Sequence, residues 1–72
     1  MAAHTVRSDV AGKVWKVVAK PGDRVAVDDT LVILESMKME IPVVAPCAGT
    51  VTSILVREGD GVVEDQEIAV LG

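Results

Sequence analysis

Aromatic residues are almost absent from this 72-residue chain: Trp15 stands alone, with no Phe and no Tyr. The apolar half of the composition is therefore Val, Ile, Leu and Ala. A chain of this size buries only roughly 60% of its unfolded surface, which leaves little material for a deep substrate cleft. Cys47 is the single cysteine, so an internal disulfide and a cysteine-based metal site are both excluded. It is expected to be a small core or turn residue rather than a nucleophile. His4 is the single histidine and lies in a terminus expected to fray. A catalytic His or Cys–His pair is therefore not expected.

Basic residues are also scarce. Seven Lys and Arg face eleven Asp and Glu, for a net charge of −4. Nucleic acid recognition needs a basic patch that displaces condensed counterions, and the composition supplies none. The excess is concentrated after residue 38, where Arg57 is the only basic residue. The longest uncharged stretch, Ile41 to Val56, contains Pro42, Pro46 and Gly49 and is not a membrane helix. Met1 to Asp9 lacks the apolar core of a signal peptide. The expectation is a cytoplasmic protein with no nucleic acid and no membrane among its partners.

What is present is an internal repeat. Sliding the chain by 37 residues lays residues 10–35 on 47–72, with eight identities in 26 pairs. Ala11-Gly12 falls on Ala48-Gly49, Val14 on Val51, Gly22-Asp23 on Gly59-Asp60, Val25 on Val62, Asp28 on Asp65 and Leu34 on Leu71. Chance similarity in a valine-rich chain does not place two matched dipeptides at one offset. Two copies are too few for a solenoid. They predict one pseudo-symmetric domain spanning residues 1–72, in which each half supplies strands to the other.

Short Val-rich runs bounded by Gly, Asp and Pro read as strands. The expected strands are Gly12–Val18, Leu31–Glu35, Glu40–Val44, Gly49–Val56 and Glu67–Leu71, with shorter pieces at Thr5–Ser8, Arg24–Val25 and Gly61–Val62. The spacing Val14…Val17, mirrored by Val51…Ile54, breaks strict alternation and predicts a bulge in each half. Pro21-Gly22-Asp23 and Glu58-Gly59-Asp60 read as turns. No segment has helical periodicity over a useful length. The expected fold is all-β, a flattened barrel or sandwich.

Between the halves lies Glu35-Ser36-Met37-Lys38-Met39-Glu40, room only for a tight reversal. Lys38 is thus expected at the apex of an exposed hairpin, flanked by two thioethers and then by carboxylates. Catalytic lysines are desolvated in pockets, and a hairpin tip offers none. A tip lysine is instead suited to be modified by another enzyme, because it can enter that enzyme's active site. Most turn lysines are simply solvated. Two exposed, flexible apolar side chains beside this one argue for contact with a partner.

This segment resembles the attachment motif of biotinyl carrier domains, where Met-Lys-Met holds the modified lysine. The Gly-Asp repeats and the run Ala45, Pro46, Gly49, Val51 resemble the same family, so the likeness spans residues 10–72. It implies a flattened barrel-sandwich hybrid of two four-stranded antiparallel sheets with pseudo-twofold symmetry. It further implies biotin joined covalently to Lys38 by an ATP-using biotin protein ligase. Met37 and Met39 are implied as the flanking motif, and Glu35, Ser36 and Glu40 as ligase or partner contacts. The implied function is a biotin carboxyl carrier, itself no enzyme. It moves carboxyl groups between the biotin carboxylase and carboxyltransferase subunits of a carboxylase.

Two departures stand out. Family members commonly carry Gly where this chain has Asp28 and Asp65, which are expected to hold left-handed turn geometry in its place. There is also no thumb insertion between strands, nor a Pro/Ala-rich linker. The likeness is to small free-standing members, expected to be monomeric and to serve a carboxylase in trans. Lipoyl carriers share the fold and the lysine position, but usually place Asp before the lysine and Ala after it. Lipoate, or dual modification, is the alternative, and an unmodified interaction module is a third reading. An outer-face contact is one reading of Trp15, and a core or edge-packing role is the expected one.

Overall fold

The computed structural model describes residues 3–72. Eight strands follow one another: β1 (His4–Arg7), β2 (Gly12–Val17), β3 (Arg24–Val25), β4 (Thr30–Ser36), β5 (Met39–Val44), β6 (Gly49–Ile54), β7 (Gly61–Val62) and β8 (Glu67–Leu71). They form two four-stranded antiparallel sheets, ordered β1-β8-β6-β3 and β5-β4-β2-β7. Each sheet takes strands from both halves of the sequence, so neither half can close its own sheet. The fold is the all-β barrel-sandwich architecture expected from the sequence, with no helix among the described residues.

The 37-residue offset is written into the hydrogen bonds. Gly22 N donates to Val51 O at 2.7 Å, and Gly59 N donates to Val14 O at 2.8 Å. Val51 N donates to Asp23 O and Val14 N to Asp60 O, both at 2.8 Å. Each Gly-Asp turn is thereby clamped onto a strand of the opposite half. The turns are built alike: the Asp23 carboxylate accepts from Lys20 N and the Asp60 carboxylate from Arg57 N, each at 2.9 Å. Gly22 and Gly59 have φ of +96° and +93°, a region that disfavours any side chain.

Both predicted bulges occur, between Val14 and Lys16 in β2 and between Val51 and Ser53 in β6. Asp28 and Asp65 hold the expected left-handed geometry, at φ +70° and +71°. The Asp28 amide donates to Ala45 O and the Asp65 amide to Ser8 O, both at 2.8 Å. Each aspartate is therefore in a backbone-bonded turn that costs an L-residue roughly 1–2 kcal/mol.

Inward-facing residues of both sheets and of the segments that follow β2 and β6 form one core, largely as symmetry-equivalent pairs: Val6 with Val43, Val14 with Val51, Ala19 with Val56, Leu31 with Ile68, Val32 with Ala69, and Leu34 with Leu71. Cys47 packs half-buried against this core as a free thiol. Ser8 is the one buried polar residue among the described residues, and its hydroxyl donates to Val10 O. His4 does not fray as expected: it lies in β1 opposite Leu71, because β8 offers it a ladder partner. Strands β2 and β6 end at Val17 and Ile54, short of the predicted Val18 and Val56, where the chain peels away into the Gly-Asp turns.

Candidate functional site

The longest strand, β4, continues past the core and turns directly into β5. Its pairing with β5 runs Leu34 with Ile41, Glu35 with Glu40 and Ser36 with Met39, leaving Met37 and Lys38 as a two-residue loop. Both loop residues have positive φ, +51° and +66°, the signature of a type I′ turn. That turn matches the twist of the flanking strands but normally recruits Asn and Gly. Met and Lys here each bear a left-handed penalty of roughly 1–2 kcal/mol. Such a local conflict marks positions chosen for something other than stability.

All six residues singled out from the sequence sit on this hairpin. Met37 is 92% exposed and Met39 64%, so neither thioether contributes to the core. Lys38, Glu35 and Glu40 are exposed, and Ser36 is half-buried at the base of the loop. The amine at the apex is therefore open to an approaching macromolecule, with apolar side chains before and after it. This geometry fits a covalent group joined through the lysine side chain, since nothing in the fold encloses it.

Electrostatics around the loop are set by cross-strand order. Glu35 stands between Glu40 on β5 and Lys13 on β2, so one row across the sheet reads Lys13, Glu35, Glu40. Directly opposed like charges repel and opposed unlike charges attract. Lys13 thus borders the opposed Glu35–Glu40 pair with a charge of the opposite sign. Gly12 completes the base of the hairpin. A Cβ there would stand 2.7 Å from the Glu35 carbonyl oxygen and 3.3 Å from Ser36 Cβ.

Lys13 as a neighbour of the site was not foreseen, because its register depends on the bulge that follows it. Trp15 corrects the sequence expectation. It is 50% exposed on an inner strand of its sheet, because it follows the inward-facing Val14 and alternation turns it outward, while the bulge leaves Lys16 exposed beside it. With Lys13, Val14, Glu35 and Gly59 it lines a shallow groove of about 240 Å3.

Residues 2–71 match the family described as "Biotin-requiring enzyme", the biotin/lipoyl domain. A relative in Mycobacterium leprae, named as a biotinylated protein TB7.3 homolog, is 45% identical over 69 residues, covering 96% of this chain and 97% of that protein. In the crystal structure of Kluyveromyces lactis urea carboxylase, one region superimposes on all of this chain with a TM-score of 0.95 and 38% identity, while spanning 6% of that enzyme. The lipoyl domain of the 2-oxoglutarate dehydrogenase complex from Azotobacter vinelandii superimposes with a TM-score of 0.77 and 26% identity, over 94% of both chains.

Proposed function

The chain belongs to the biotin/lipoyl attachment domain family, whose small members are non-catalytic carriers, and from that premise we propose that it is a biotin carboxyl carrier protein, biotinylated on Lys38. The observation that carries this reading is the loop itself. A lysine stands at the apex of a two-residue turn that its own residues disfavour, between two exposed methionines that take no part in the core. A turn kept for stability would place Asn or Gly there.

In this reading a biotin protein ligase encloses the hairpin. The Lys38 amine, once it has given up its proton, attacks the carboxyl carbon of ATP-activated biotin, and an amide forms as the activating group leaves. Met37 and Met39 supply apolar contact with the ligase, and Glu35, Ser36 and Glu40 polar contact. Amide formation removes the positive charge of Lys38 and makes the domain one unit more negative than its net −4. When attached, biotin supplies a carboxyl-accepting group on a long arm. The domain's own part is to hold that arm clear of its surface. It thereby keeps the arm at high effective concentration between biotin carboxylase and carboxyltransferase subunits acting in trans.

The likeness to a lipoyl domain makes lipoate the competing group, and the methionines on both sides of Lys38 favour biotin. Intact mass spectrometry after co-expression with a biotin ligase, and separately with a lipoate ligase, decides between them. The expected result is one biotinyl group on the wild type and none on Lys38→Ala. Addition of lipoate alone, or of biotin to Lys38→Ala, overturns the assignment.

A further inference from the structure

The pseudo-symmetry supplies an internal control. Positions 37 residues apart share strand and bulge, so a difference between their outward side chains is not required by the fold. On the sheet bearing the hairpin, the bulge segment presents Lys13, Trp15 and Lys16, all exposed. On the other sheet the same three positions are Thr50, Thr52 and Ser53, at the matching bulge. The Thr52 hydroxyl donates to Val70 O at 3.0 Å, a contact made within its own sheet. The equivalent position on the hairpin sheet instead carries the chain's only aromatic residue, half in water.

Charge sharpens the contrast. The domain is acidic overall, yet two lysines flank this indole. Lys13 faces Glu35 across the ladder, whereas the cross-strand neighbour of Lys16 is Ile33, which itself pairs with Pro42. A cation beside an apolar row, next to a groove lined by Trp15 together with Lys13, Glu35 and Gly59, fits a surface that offers an apolar side chain to the indole and a carboxylate to Lys16.

Distance says which protein can supply it. A standard interface covers about 800 Å2 per partner, a disc of about 16 Å radius. Trp15 lies about four residues along the ladder from the loop, roughly 13 Å at strand rise. An enzyme that encloses Lys38 with an interface of ordinary size is therefore large enough to cover this face as well. We propose that the Lys13–Trp15–Lys16 face is a docking surface for the biotin protein ligase that modifies Lys38, and that its counterpart in the ligase is an apolar patch rimmed by carboxylates. This rests on the biotin reading of the hairpin.

The test transplants one face onto the other. K13T/W15T/K16S installs residues that already occupy the same bulge in β6, and T50K/T52W/S53K is the reverse swap. Biotinylation by biotin protein ligase, with biotin and ATP, is followed at varied domain concentration and salt. For the first variant KM is expected to rise about tenfold with kcat within about twofold, as for loss of binding alone. The salt dependence seen with wild type should flatten. The reverse swap should behave as wild type. Lys16→Glu, a single exposed change, should raise KM by itself and guards against misfolding of the triple variant. Wild-type kinetics in both K13T/W15T/K16S and Lys16→Glu overturn the docking surface while leaving the biotin reading standing. Failure of the wild type to be biotinylated overturns both.

Discussion

Gly12 and Glu35 meet backbone to backbone: a Cβ on Gly12 would stand 2.7 Å from the Glu35 carbonyl oxygen. Since Glu35 opens the strand end that carries Lys38, the first residue of β2 sets how the hairpin base lies on the sheet. The equivalent glycine on the other sheet, Gly49, would place its Cβ 3.2 Å from the Gly72 carbonyl oxygen, a milder approach.

Gly12→Ala is therefore expected to destabilise by roughly 1–3 kcal/mol, the usual range for overpacking against groups that cannot yield. Gly49→Ala should cost less, because a few tenths of an ångström relieve it. Urea unfolding of the two variants measures the difference. Biotinylation of Gly12→Ala should also slow, since the base of the hairpin must shift. Equal stability in both variants would show that the Glu35 carbonyl moves freely.

The two left-handed aspartates give a second comparison. Asp28 and Asp65 occupy φ near +70° with their amides bonded to the opposite half. Asp28→Gly should be neutral or stabilising. Asp28→Val, β-branched and poorly suited to positive φ, should cost roughly 1–2 kcal/mol. In a domain of this size each kcal/mol moves Tm by about 4–8 °C, so thermal melts separate the variants. The same ordering is expected at Asp65.

These paired sites show why so much of the fold was legible. Wherever a position is constrained from both halves, the repeat repeats the constraint: the Gly-Asp clamps, the bulges and the left-handed aspartates all recur at one offset. The hairpin was legible because six residues between two strands leave one geometry. What was hidden lies where the constraint is one-sided. β1 and β5 are symmetric partners, yet both are edge strands, and only the inward Val6 and Val43 are identical. The repeat is therefore recognisable in sequence from residue 10, although in structure it begins at residue 4. Alternation from the inward Val14 alone turns Trp15 outward; what the bulge adds is Lys16, exposed beside it where strict alternation would point it inward, and a sequence shows that a bulge exists more readily than which side chain it expels.

Leu34 and Leu71 are equivalent, and both are fully buried in the shared core. Truncating either to Ala should cost about 2–5 kcal/mol. Because every sheet draws on both halves, neither loss can remain local, and each variant should unfold in one transition. For a domain whose whole stability is on the order of 5–15 kcal/mol, either change removes a large share. Two separate transitions in a denaturant melt, one per half, would contradict the interlocked architecture.

The loop itself supports a prediction with opposite signs in stability and function. Met37 holds φ at +51° while 92% of its surface meets solvent, so its side chain brings strain and no packing. Met37→Gly removes a left-handed penalty of roughly 1–2 kcal/mol and adds about 0.5–1 kcal/mol of unfolded-state entropy cost. Stability should rise by about 0.5–1 kcal/mol, a few degrees in Tm. Biotinylation should become less efficient through loss of an apolar contact beside Lys38. Thermal melts and ligase kinetics on the same protein check both halves. A lowered Tm would mean that the Met37 side chain supports the turn, and the strain at the apex would then need another cause than presentation of the lysine.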